Sequence, residues 1–188
     1  MTKLLRTIRL DPSDTFVFDK AAEPGEWAVP GSFMFLDQDN VALKGKAKIA
    51  FRSGFLGIHS GGWSTIAVVV MATQAERDDA AHQLAEYLMA EHGAPDMGVA
   101  LAAADEEIAF AESCAQHPEQ TLVVIHRRLG EDGDIHEQFR TVKAGLPFSK
   151  DQMSRVFTFH EVEGEEEVEE HVDLAGLVQK TEIAAKKA

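Results

Sequence analysis

The sequence predicts an α+β fold: one mainly antiparallel sheet with two helices, at about 74–92 and 98–117, packed on one face. Three stretches carry that expectation. Ile66-Ala67-Val68-Val69-Val70 is a buried-strand run inside 64–73, residues 74–92 form an amphipathic helix, and 121–143 alternate as a hairpin. A β-rich N-terminal half, two successive helices and a hairpin suit a single sheet carrying helices. A split βαβ arrangement is one topology for the middle.

Along the chain, residues 3–10 alternate with Leu4, Ile8 and Leu10 on one side, as a strand with one apolar face does. Asp11-Pro12-Ser13-Asp14 is turn chemistry, and Thr15–Phe18 reads as a short return strand. Residues 21–30 hold Pro24-Gly25 and end at Pro30-Gly31, so they read as loop. Ser32–Leu36 is expected to be a strand. Val41–Phe51 is a further strand candidate, with Lys44, Lys46 and Lys48 on one face and Gly45, Ala47, Ile49 and Phe51 on the other. Lysines on one strand face guard an edge against unwanted pairing, or they offer a docking surface to an acidic partner.

The helix over 74–92 opens with Glu76, Asp78 and Asp79, where the helix dipole favours anions. Ala81, Leu84 and Leu88 form its buried stripe, with Ala80, Ala85 and Met89 alongside, and Gly93 is its stop. The second helix starts between Met97 and Ala104, with Gly98 and Asp105-Glu106-Glu107 favouring the later start. Ile108, Ala111 and Ala115 form its apolar stripe, and its many alanines imply close approach to a neighbour, taken to be the sheet. In the hairpin, a loop Glu131-Asp132-Gly133 sets Leu129 opposite Ile135, Arg127 opposite Glu137 and Ile125 opposite Phe139. A register slip of one residue would scatter the apolar set over both faces. Gly145-Leu146-Pro147 ends the hairpin, Arg155–His160 reads as a final strand, and 173–185 can form a short helix.

A chain of 188 residues with 45% hydrophobic content holds one domain, placed at 1–160, followed by an acidic, flexible tail over 161–188. Seven of the ten residues 161–170 are glutamate, a density that keeps a segment solvated. The formal net charge of −14 argues against nucleic acid as a partner. No apolar run is long enough to span a bilayer and no secretory signal opens the chain, so a cytoplasmic protein without membrane contact is expected. Cys114 is the single cysteine, which excludes an internal disulfide.

The strongest site candidate is the glycine-rich stretch Gly57-Ile58-His59-Ser60-Gly61-Gly62-Trp63. Its backbone amides, with His59, Ser60, Gly61, Gly62 and Trp63, could hold a small anion. Phosphate loops ordinarily follow a strand and open a helix, whereas this one precedes a strand, so a tight β-connection packed under Trp63 is the competing reading. On the outer hairpin face, His126, Arg128, His136 and Arg140 form a basic-aromatic cluster suited to carboxylates of a partner, or simply a solvated face. The eight histidines show no His-x-x-x-His pair, so neither a metal nor another cofactor is expected. His82 and Glu86 are only four apart on a helix. Cys114 near a helix end reads as a small buried residue, and no catalytic constellation appears.

The stretches LLRTIRLDPSDTFVFDKAAEPGEWAVPGSF, FRSGFLGIHSGGWSTIAVVV and EVEGEEEVEEHVDLAGL resemble an uncharacterised proteobacterial family, a domain of unknown function. Genes of that family tend to lie near accessory genes for molybdenum-dependent formate dehydrogenase and a biotin/lipoate-ligase-like protein. The resemblance implies an assembly or accessory role for a redox enzyme and supplies no catalytic residue. Together these readings favour a non-enzymatic accessory protein with a protein partner. The alternative is a binder of small anions through Gly57–Trp63. A homodimer through a sheet edge or the alanine-rich helix is compatible with either.

Overall fold

In a computed structural model, residues 1–36, 38–131 and 133–142 are described. They belong to one compact unit spanning Met1–Gly145. The expected break at Gly145-Leu146-Pro147, the strand Arg155–His160, the glutamate run and the 173–185 helix lie outside the described residues. Within them, strands β1 (Thr2–Ile8), β2 (Trp27–Val29), β3 (Phe55–Gly57), β4 (Trp63–Ser64), β5 (Ile66–Ala72), β6 (Leu122–Leu129) and β7 (Ile135–Val142) form one sheet in the order β4-β3-β2-β1-β5-β6-β7. Every neighbouring pair is antiparallel. Helices α1 (Ser13–Val17), α2 (Gly45–Ser53), α3 (Gln74–His92) and α4 (Met97–Cys114) and a 3-10 helix, Ser32–Phe35, complete the body.

The α+β class agrees with the sequence, and the hairpin register agrees pair by pair. Leu129 faces Ile135, Arg127 faces Glu137 and Ile125 faces Phe139. Gly130 N–H donates to Asp134 O at 2.8 Å, closing a three-residue loop in which Gly133 takes φ +87°, a left-handed value that favours glycine. Helix α3 keeps its expected bounds, fixed by a capping box in which Thr73 and Glu76 exchange side-chain and backbone hydrogen bonds. Its stripe Ala80, Ala81, Leu84, Ala85 and Leu88 is buried, while Met89 is exposed.

Several short segments depart from expectation. Thr15–Phe18 is not a strand, because Pro12 sets a helical φ and Asp11 accepts from the Ser13 amide, starting α1. Residues 32–35 form a 3-10 turn, entered through Gly31 at φ +75°. The loop expected over 21–30 contains β2, and the glycine-rich 52–63 contains β3. Val41–Phe51 is largely helix α2. The adjacent residues Ala50 and Phe51 are both buried while Ile49 is 38% exposed, a pattern that a strand of period two cannot produce. Helix α4 starts at Met97, at the early end of the expected range rather than the favoured later one, because the Asp96 side chain caps the Val99 amide at 3.0 Å.

Burial is two-sided. Leu4, Val29, Leu56 and Ala72 pack with Leu84, Ala104 and Ile108 of the helices. Leu5, Ala28, Val69, Val123 and Ile125 pack with Cys114 and Ala115 at the end of α4. Leu4 and Leu5 are consecutive, point to opposite faces and are both buried. Helix α3 packs with the first set alone, whereas α4 reaches both, through Cys114 and Ala115 at its C-terminal end. Arg77 ties α3 to α4 through Asp105 at 2.8 Å and Glu112 at 3.4 Å.

The sheet is rolled. β3 and β7 are five positions apart in the strand order, which in a flat sheet would separate them by about 24 Å. Instead the rings of Phe55 on β3 and Phe139 on β7 lie 6.4 Å apart, centroid to centroid. Arg127, on β6, locks this closure. The residue is only 1% exposed. Nε donates to Glu137 at 2.6 Å and to Ser32 at 3.0 Å, Nη1 to Phe51 O at 3.0 Å and Gly54 O at 2.8 Å, and Nη2 to Pro30 O. One guanidinium thus joins both hairpin strands to the ends of β2, the 3-10 helix and α2. Burial pushes its pKa down, and Glu137 pushes it back up. Replacing Arg127 with Met leaves Glu137 and several carbonyls buried without this donor. The expected loss is about 3–5 kcal/mol, read as a lower urea midpoint. A loss below about 1 kcal/mol would show the lock to be unimportant for stability.

Candidate functional site

The outer face of the β6–β7 hairpin gathers the basic residues that the sequence singled out. Side chains alternate along a strand, so the residues flanking inward Ile125, Arg127 and Leu129 point outward. The ladder sets Arg128 opposite His136, His126 opposite Gln138 and Val124 opposite Arg140. His126, Arg128, His136 and Arg140 are all exposed. To these the structure adds Arg52, from the last turn of α2, which packs against β6. Burial first, then the charges of Arg52, Arg140 and Arg128, hold the His126 imidazole below its ordinary value. Arg52 was missed because it lies 74 positions before His126 and only tertiary packing brings it there. Neither Arg52 nor Arg128 forms an ion pair among the described residues.

The lysine trio is not assembled. Lys44 is the N-cap residue of α2, and Lys46 and Lys48 follow at helical steps of about 200°. Lys46 turns toward α1, donating to Phe18 O at 3.3 Å and lying 3.9 Å from Asp19. The strand face that would have aligned these three side chains does not exist.

The glycine-rich loop does hold an anion, and the anion is part of the chain. The Glu26 carboxylate accepts from the Ser60 amide at 2.7 Å, the Ser60 hydroxyl at 2.6 Å and the Glu23 amide at 2.6 Å. Five further loop amides are bonded within the chain: Gly57 donates to Gly62 O, Ile58 to Trp27 O, Gly61 to Gly57 O, Gly62 to Ser60 Oγ and Trp63 to Lys20 O. Glycine is required sterically at Gly62, where a Cβ would come 2.6 Å from the Ala21 backbone. Trp63 stacks on Phe35 at 5.2 Å, while His59 points to solvent. Sequence reasoning found the amides but had no local signal for Glu26, 34 residues upstream.

Of the interior acids, Glu107 on α4 is the most perturbed. Its Oε2 is buried and finds no hydrogen-bond partner among the described residues. Burial first, then the neighbouring Glu137, raise its pKa to about 7, against the opposing pull of Arg127. Cys114 is buried and its thiol is pushed up to about 11, chiefly by burial, so it holds little thiolate at neutral pH. Asp14 is buried too, accepting from Ser64 and from the amide and hydroxyl of Thr65. Among the described residues no three His, Cys, Asp or Glu side chains gather as a metal site, and no helix is long and apolar enough to cross a membrane. His82 and Glu86 lie 3.9 Å apart on exposed helix surface.

The chain belongs to DUF6505, a family of unknown function, which it matches over residues 1–162. No curated protein matches it, and no solved structure does.

Glu107 makes stability depend on pH. Its folded pKa, about 7, lies above the ordinary 4.5, so between these values the folded chain holds a proton that the unfolded chain releases. The proton-linked stability is complete below about pH 4.5 and is lost as pH rises through 7. Urea titrations at pH 5 and pH 8 should show Glu107→Gln gaining on the wild type by on the order of 2 kcal/mol at the higher pH. An identical pH dependence in both proteins would show that Glu107 ionises normally.

Proposed function

We propose that this chain is a non-enzymatic interaction protein that docks a carboxylate-rich protein surface on its basic hairpin face. The observation that carries this reading is the clustering of Arg52, His126, Arg128, His136 and Arg140 on one exposed face of a chain with net charge −14. Complementary charge of this kind speeds and orients encounter more than it adds affinity. A protein partner suits the face better than nucleic acid, because a long polyanion would be repelled by the acidic surface beyond the patch.

The interior supports the same conclusion. Arg127, Asp14 and Glu26 are all committed to internal hydrogen bonds, and the Cys114 thiol is held in its protonated form. The resemblance to a family whose genes tend to lie near formate dehydrogenase accessory genes supports an accessory role, in the cytoplasm, during assembly or maturation of a redox enzyme.

The test is a comparison of two immobilised chains, the wild type and Arg52→Glu/Arg128→Glu, exposed to a lysate of the source cells. The wild type should retain one partner in stoichiometric amount, with retention falling as salt is raised, and the variant should retain at most a tenth as much. Equal retention by both chains, or none by either, would remove the proposal.

A further inference from the structure

The sulfur of Met34, in the 3-10 helix, meets two side chains near the end of α3. The Tyr87 hydroxyl donates to it at 3.6 Å, and His92 Nε2 stands 3.0 Å from it. An N–H···O bond runs to about 2.9–3.0 Å, and sulfur is the larger atom, so this imidazole is held unusually close. A neutral thioether is a weak acceptor and gives little reason for so tight an approach. With the imidazole proton on Nδ1, Nε2 presents a lone pair to the sulfur, and a shared cation is what makes that arrangement favourable. We propose that Met34 Sδ and His92 Nε2 together bind a soft monovalent cation, Cu(I). The site is separate from the docking face and does not depend on it.

Donor chemistry selects the ion. Thioether sulfur is polarisable and prefers Cu(I), imidazole is a good copper ligand, and neither suits Mg²⁺ or Ca²⁺. The position favours a cation as well. His92 is the last residue of α3, before Gly93 turns left-handed at φ +66°, and the carbonyl end of a helix attracts positive charge. Aromatic rings border the pair, Phe33 at 5.4 Å and Tyr87 at 5.7 Å from the imidazole, and their π electrons favour a nearby cation. The donors are held in place beforehand. The Met34 amide donates to Gly31 O at 3.2 Å, and Gln38 donates to the Met34 carbonyl at 2.8 Å. The glycine-rich loop supports Tyr87 so closely that a Cβ on Gly61 would come 2.7 Å from its ring. His92 is exposed, so an ion reaches the pair from solvent. The two donors are 58 positions apart, which is why no ligand spacing announces them.

The test is an anaerobic titration of the full-length chain with Cu(I), in competition with a coloured Cu(I) chelator. One equivalent should bind, and the methyl resonance of Met34 should shift with it and stop at that equivalent. Met34→Leu nearly conserves volume and His92→Gln lies at the surface, so both variants should fold. Loss of an outer-shell partner costs a metal site about 10–100-fold, so removing either donor should weaken binding by at least about 100-fold. Cys114→Ser, which removes the chain's single thiol, should bind like the wild type, as should His82→Gln elsewhere on α3. Absence of binding to the wild type, or equal binding by Met34→Leu, His92→Gln and the wild type, would reduce the contact to a plain N–H···S hydrogen bond. Loss of binding in Cys114→Ser would place the ion on the thiol and overturn the site.

Discussion

A single buried charge closes this molecule. Arg127 stands in the concave interior of the rolled sheet, on the same side of β6 as Val123 and Ile125, where the other inward residues of that strand are apolar. A guanidinium in such a place is tolerable only if its donors are matched, because the low-dielectric interior strengthens satisfied contacts and penalises orphaned ones alike. Its rigid planar fan of donors suits acceptors arriving from different directions. Here those acceptors are a carboxylate on the adjacent strand and carbonyls at Pro30, Phe51 and Gly54, where the backbone leaves β2 and α2. Backbone carbonyls at element ends lack ladder partners and need a donor from somewhere. Arg127 supplies one to each, and in doing so brings the β6–β7 side of the sheet over toward β2 and α2.

The outward face follows from the inward one. With Ile125, Arg127 and Phe139 directed into the roll, strand alternation leaves His126, Arg128, His136 and Arg140 no direction but outward. Because Arg127 also binds carbonyls of α2, it seats that helix beside β6, and Arg52 arrives at the edge of the same face. The interior lock and the exposed basic patch are thus two sides of one strand. A chain so acidic elsewhere could not assemble this patch from composition alone. It requires the hairpin register.

What was legible in the sequence was whatever a period could specify. The hairpin was readable because a one-residue slip would have exposed Val123, Ile125 and Phe139, and because Glu131-Asp132-Gly133 sets the turn. Helix α3 was readable over its whole length from its apolar stripe and Gly93. The short helices α1 and α2, of five and nine residues, were not. In α2 the alternation of Lys44, Lys46 and Lys48 imitated a strand, while the stronger signal, adjacent burial of Ala50 and Phe51, exists only in the folded chain. Contacts between distant segments were equally hidden, as with Glu26 in the glycine loop and Arg52 beside His126. Arg127 falls between these cases. Its parity with Ile125 and Leu129 already places it on the buried side, and its facing Glu137 already offers a countercharge. Only the carbonyls that complete its shell lie out of sequence range.

The claim that Arg127 closes the roll is tested most directly by the contact between Phe55 and Phe139, whose rings are 6.4 Å apart although their strands are five positions apart in the sheet. A nuclear Overhauser cross-peak between these two rings reports that closure without reference to stability. The account predicts a strong cross-peak in the wild type and its loss in a folded Arg127→Met chain that still shows the β6–β7 ladder. An undiminished cross-peak in that variant would mean that apolar packing alone rolls the sheet and that the arginine is a passenger.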